Sequence, residues 1–234
     1  MSALTDEVLR LLERATDKDK AVIFAYLREH LPLHPLEREW NTTADAILTA
    51  IARSTDLTLR GVRGILAEAT FETAVLPEME KAGWNAVKIV GDLTYDFHIQ
   101  RKRTEVRIQV KLQRREQGVP KEYSKKNAAK LTAPPDPIYV VEVQKTRGGE
   151  RDGEKTRPYR FGDFDILAVN LHPATGDWNR FAFTVGRWLL PRASDENLIE
   201  IMQPVSATPD DFWTGDLNEC IDWLLSRRTR RLYS

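Results

Sequence analysis

The chain is most tightly constrained between Leu93 and Gln113, where two short runs alternate polar and apolar residues with a period of two. Thr94, Asp96 and His98 interleave with Tyr95, Phe97 and Ile99; Arg107, Gln109, Lys111 and Gln113 interleave with Val106, Ile108, Val110 and Leu112. Each run is a strand with one apolar and one polar face. Arg101 to Thr104 joins them with the length of a four-residue hairpin loop. That register sets Ile99 opposite Val106, Phe97 opposite Ile108 and Asp96 opposite Gln109, with Lys111 one step further on the same face. A carboxylate, a side-chain amide and an ammonium then converge on one side of a hairpin whose other side is core. A carboxylate and a carbonyl oxygen suit Mg²⁺, and an adjacent ammonium can orient a water or steady a phosphate. The plainer reading of the same pattern is a half-solvated sheet.

Asp96, twelve intervening residues and then Gln109-Val110-Lys111 together resemble the core of the PD-(D/E)XK nuclease superfamily, to which many restriction endonucleases belong. The resemblance covers about residues 60 to 171. It implies an α/β fold with a restriction-endonuclease-like core, a mixed central β-sheet flanked by helices, preceded here by an N-terminal helical region. It also implies a Mg²⁺-dependent endonuclease acting on double-stranded DNA. In that family Asp96 would bind the metal, the Gln109 side chain or the adjacent backbone carbonyl would complete the shell, and Lys111 would position the attacking water. Gln109 stands where a Glu is commoner, which removes one charge from the cage unless another carboxylate supplies it.

Upstream, Ala67 to Trp84 carries the apolar stripe Phe71, Val75, Leu76 and Met79, with Pro77 expected to bend or start a helical segment. This resembles the first helix of the same superfamily, where a Glu precedes the Gly that closes the helix. Glu72, eleven residues before Gly83, matches that placement, with Glu68 one turn earlier as its competitor. Glu142, near Gln144 and Lys145, is a further carboxylate for the same cleft. Among such enzymes a stand-alone chain of this size looks most like a type II restriction endonuclease acting as a homodimer; a repair or junction nuclease and a non-catalytic DNA-binding module are the alternatives.

With 234 residues and 41% hydrophobic content the chain can bury a substantial core. Its formal charge is zero, yet Arg101 to Lys130 holds eleven Lys or Arg against three Glu, a patch suited to a phosphate backbone if it folds onto one face. One cysteine, Cys220, excludes an intramolecular disulfide and a Cys-rich zinc site. No apolar run reaches membrane-spanning length and no signal-peptide pattern opens the chain, so no membrane and a cytoplasmic setting are expected. No Gly-rich phosphate loop is found, and no nucleotide cofactor is expected.

Residues 1–58 read as an N-terminal helical region and a candidate DNA-contacting one, and 59–234 as the nuclease-like domain. Thr16-Asp17 caps the second of two helices, and another begins after Asn41-Thr42-Thr43 with Ala46, Ile47, Ala50 and Ile51 inward. Two short helices about residues 44–70 resemble a helix-turn-helix, with Arg60 and Arg63 available to DNA. Strands are expected at Ala86 to Val90, Ile138 to Val143, Phe164 to Leu171 and Phe181 to Val185, with a last amphipathic helix at Leu217 to Leu225. Lys145 to Arg160, rich in Lys, Arg and Gly, is a candidate DNA-contacting loop through Lys145, Arg147, Lys155 and Arg157.

Overall fold

The computed structural model describes residues 2–31, 34–91, 93–145, 150–151, 154–155 and 157–234. The chain divides into two compact units, Met1–Arg60 and Gly61–Ser234.

The first unit is helical: α1 (Ala3–Arg14), α2 (Asp17–His30), α3 (Pro35–Glu39) and α4 (Ala44–Ala52). Local sequence sets their ends. Thr16 caps α2 in a reciprocal capping box with Asp19, and the Thr43 hydroxyl accepts from the Ala46 N–H at the start of α4. Tertiary burial contributes little, since none of the four helices has a buried residue. Ile47 and Ile51 are half-buried, whereas Ala46 and Ala50 of the expected inner stripe are exposed.

The second unit is α/β. Helix α5 (Asp56–Thr70), whose residues from Gly61 on belong to this unit, runs into a π-helical turn, Phe71–Val75, and then α6 (Leu76–Lys81). The wide turn follows from Pro77, which has no N–H to donate; the Leu76 N–H reaches back to Phe71 O. A five-stranded mixed sheet follows, built from β1 (Asn85–Ala86), β2 (Phe97–Arg101) and β3 (Thr104–Leu112), and, beyond β4 (Tyr139–Glu142), from β5 (Ile166–Asn170) and β6 (Phe181–Val185). Its order is β1-β2-β3-β5-β6. The β3–β5 pair is parallel and the others are antiparallel.

Strand β5 is buried along its whole length because both of its faces are covered. Ile166 and Ala168 enter one apolar cluster and Leu167 and Val169 the other. The first cluster packs the sheet against Ala67, Phe71, Leu76 and Met79 and against the final helix α7 (Leu217–Leu225), through Leu217, Cys220 and Ile221. The second covers the opposite face with Val141, Val205, Trp213, Leu232 and Tyr233.

Two expected strands differ. Ile138 to Val143 does not enter the central sheet: β4 pairs with β7 (Met202–Val205), and its Val141 is bridged to Gln113, just past the end of β3. Its β-branched run satisfies burial in either sheet, so composition does not select the partner. The Ala86 to Val90 strand is cut to Asn85–Ala86, because the chain leaves the sheet toward Gly91, at φ 92°, with Val90 79% exposed.

Gly186 follows β6 where the backbone runs close to the chain entering β5. A Cβ there would lie 2.9 Å from the Phe164 carbonyl oxygen and 3.2 Å from that of Asp165, which already accepts from the Gly186 N–H. Gly186→Ala is therefore expected to cost about 1–3 kcal/mol, read as a lower urea midpoint with an unchanged slope.

Candidate active site

The hairpin places its polar residues by register. Phe97 pairs with Ile108 and Ile99 with Val106, and the reversal tightens to Lys102-Arg103, with Lys102 at φ 56°. Strand β2 begins at Phe97, so the last ladder bond at this end runs from the Asp96 N–H to Ile108 O. Two residues on, the N–H and C=O of Val110 face the same edge beyond the end of β2. The Asp96 carboxylate takes the place of a strand there: its Oδ2 accepts from the Val110 N–H at 2.8 Å and from the Gln109 side-chain amide.

Gln109 is 1% exposed and nearly fully engaged. Its Nε2 donates to Asp96 Oδ2 and, at 3.2 Å, to Val110 O, while its Oε1 accepts from the Tyr159 hydroxyl at 3.0 Å. This departs from the expectation that the side-chain oxygen faces a metal. Both neighbours of Nε2 are acceptors, so the amide nitrogen must point at them. The adjacent Val110 carbonyl, beyond the end of β2, accepts from Gln109 Nε2 and keeps a second lone pair.

Lys111 is half-buried, with its ammonium 5.6 Å from the Tyr159 ring centre. Burial pulls its pKa down from the ordinary lysine value, opposed by the charges of Asp96 and Glu68. Asp96 is pushed up by burial, opposed by Lys111 and by the hydrogen bonds from Val110 and Gln109. Glu68, on α5, is also pushed up by burial and by Asp96, with Lys111 opposing. One ammonium and two carboxylates thus share a poorly solvated corner at the end of β2.

Glu68 rather than Glu72 is the carboxylate whose charge Lys111 senses. Glu72 lies in the π-helical turn and is exposed. The wider turn breaks the four-residue spacing that would keep Glu72 in line with Glu68. Glu142 is engaged elsewhere, by the Arg114 guanidinium and the Gln144 amide. His98 faces Glu105, 3.6 Å away.

The basic stretch is not one patch. The hairpin tip carrying Lys102 and Arg103 is separated from Lys111 by roughly 25 Å of strand, and Arg107, Arg114 and Lys121 are paired with Asp165, Glu142 and Glu116. Exposed cations in the segment that follows β3 include Arg115, Lys125, Lys126 and Lys130. Of the four loop cations, Lys145 is half-buried with its ammonium 5.5 Å from the Tyr159 ring, and Arg157 is exposed and donates to Lys145 O at 3.2 Å. Arg147 and the side chain of Lys155 lie outside the described residues.

Among the described residues no three His, Cys, Asp or Glu side chains are grouped as a metal site. The corner nevertheless suits a hard divalent cation. It holds two carboxylates whose charged forms burial disfavours, and a backbone carbonyl beyond the end of β2. Glu68→Gln is expected to lower a divalent-cation-dependent activity at least tenfold and Glu72→Gln to leave it within twofold, measured as initial rates over a Mg²⁺ titration.

No family model matches the chain, and no curated protein matches it. Among solved structures, that of a bacterial homing endonuclease, I-Ssp6803I, is similar over 53% of this chain and 66% of the other, with 24% sequence identity and a TM-score of 0.31; the chain thus spans just under two thirds of that structure's length.

Proposed function

We propose that this protein is a Mg²⁺-dependent endonuclease hydrolysing phosphodiester bonds of double-stranded DNA, with Glu68, Asp96 and Lys111 as its reacting centre. The observation that supports this reading is the meeting of two half-buried carboxylates and one ammonium where a strand ends beside the Val110 carbonyl. With both acids ionised the corner is net negative and repels a phosphate, so a divalent cation is what makes the anion welcome. Glu68, Asp96 and Val110 O would hold it, and when bound it supplies Lewis-acid polarisation of the phosphate and a more acidic water.

The chain's own residues do the positioning. Gln109 and the Val110 N–H fix Asp96 through Oδ2. Lys111 would hold the attacking water and offset charge gathering on the phosphate oxygens. Lys145, whose ammonium also lies near the Tyr159 ring, would contact the phosphate backbone. The narrower reading is a dimeric type II restriction enzyme, because cutting both strands of a symmetric site calls for two centres.

Incubating the protein with plasmid DNA and Mg²⁺ tests the proposal. Discrete fragments support restriction. Nicking or structure-selective cutting supports a repair or junction nuclease. DNA retained on the protein but left intact in Mg²⁺ overturns the hydrolytic reading and leaves a binding module.

A further inference from the structure

Tyr159 is 4% exposed and held from three directions. Its neighbour Pro158 is bridged to Gln144, its carbonyl accepts from the Ile199 N–H at 2.9 Å, and its ring meets Phe164 edge-on with centres 5.4 Å apart. That fixed ring delivers a hydroxyl to Gln109 Oε1 and presents its π-electrons to the ammonium groups of both Lys111 and Lys145. The hydrogen bonds run in one direction. The phenol donates to the amide oxygen, and the amide nitrogen donates to Asp96 Oδ2 and Val110 O. Without the phenol, Gln109 Oε1 is a buried acceptor with no donor among the described residues, and the amide is free to swing toward another one.

We propose that Tyr159 is a positioning residue of this site: its hydroxyl locks the Gln109 amide so that Asp96 and the Val110 carbonyl are held facing the cation position. The inference rests on the hydrolytic reading above and deepens it. It concerns cation binding rather than DNA binding, because Tyr159 reaches the carboxylate through Gln109, whereas its contacts with the lysines are made by the ring alone. Tyr159→Phe removes the hydroxyl and keeps the ring, which separates the two.

Three measurements on the protein test it. In plasmid cleavage, Tyr159→Phe is expected to raise the half-saturating Mg²⁺ concentration about tenfold, the loss of roughly one buried hydrogen bond, with KM for DNA unchanged. In DNA-free protein, Mn²⁺ affinity read by electron paramagnetic resonance should weaken by a similar factor. In a Gln109→Met background the same Tyr159 substitution should change neither, since the amide it acts through is gone.

Lys145→Ala, which touches the ring and not the amide, is expected to raise KM for DNA and leave the Mg²⁺ requirement alone. If Lys145→Ala shifts that requirement as Tyr159→Phe does, the hydroxyl is not the cause and the proposal fails. It also fails if Tyr159→Phe acts equally with and without Gln109, or leaves Mn²⁺ affinity untouched. Wild-type protein that does not cut DNA at all removes the hydrolytic reading itself; wild-type protein that cuts, alongside an indistinguishable Tyr159→Phe, removes only the role of Tyr159.

Discussion

Lys111→Ala is expected to abolish DNA cleavage, lowering the rate at saturating Mg²⁺ by roughly a thousandfold, about 4 kcal/mol of barrier, while DNA affinity changes less than threefold. The asymmetry comes from where the ammonium sits. Lys111 lies half-buried beside two carboxylates, where poor solvation strengthens its interaction with charge that develops during reaction. Affinity for DNA, on the proposed reading, would be spread over many phosphate contacts, to which exposed cations such as Arg115, Lys125 and Lys126 would contribute more than a recessed one. Initial cleavage rates and a fluorescence-anisotropy titration in Ca²⁺ separate the two quantities. A variant that cuts within threefold of wild type removes Lys111 from the chemistry.

The second large effect is that of Asp96→Asn, which is expected to lose cleavage to a similar degree and yet to fold at least as stably as wild type without cation. The introduced carboxamide keeps an oxygen for the Val110 N–H and the Gln109 amide, so the packing of the corner survives. What disappears is a charge that the fold disfavours. Burial raises the Asp96 pKa above its ordinary value, so the carboxyl contributes its full stability at pH below the unfolded value and loses it as pH rises through the folded one. Wild type should therefore fall behind Asp96→Asn as pH rises from about 4 toward about 8, and Glu68→Gln should behave alike, since its pKa is raised too. Adding Mg²⁺ at the upper end of that range should reverse the order, because a cation that binds only the folded wild type stabilises it by mass action. Thermal unfolding at several pH values, with and without Mg²⁺, reads both trends; an Asp96→Asn variant less stable than wild type in mildly alkaline buffer without cation contradicts them.

The hairpin is legible in the sequence because two constraints coincide there. The period-two alternation fixes which residues share a face, and the length of the reversal fixes which residues are opposite, so a one-residue slip would invert the whole pattern. The capping residues Thr16 and Thr43 and the final helix Leu217–Leu225 are readable because their signals are equally local.

What is not legible depends on chain segments far apart in sequence or on the winding of a helix. Choosing between Glu68 and Glu72 requires knowing how the chain turns at Phe71–Val75, and Pro77 signals a disturbance there without saying which carboxylate it turns away. The Gln109 side-chain oxygen is taken up by Tyr159, fifty residues on; a single tyrosine beside a basic loop carries no periodic signal. The partner of β4 is likewise a long-range choice, made by the apolar cluster containing Val205 and Trp213.

The most direct test compares four proteins prepared together: wild type, Glu68→Gln, Asp96→Asn and Lys111→Ala, each incubated with supercoiled plasmid in Mg²⁺ and in EDTA. The expected result is loss of supercoiled DNA by the wild type in Mg²⁺ alone, with all three variants at least tenfold slower. Equal loss in all four, or cleavage by the wild type in EDTA, would show that whatever cuts the DNA is not the cluster at the end of β2.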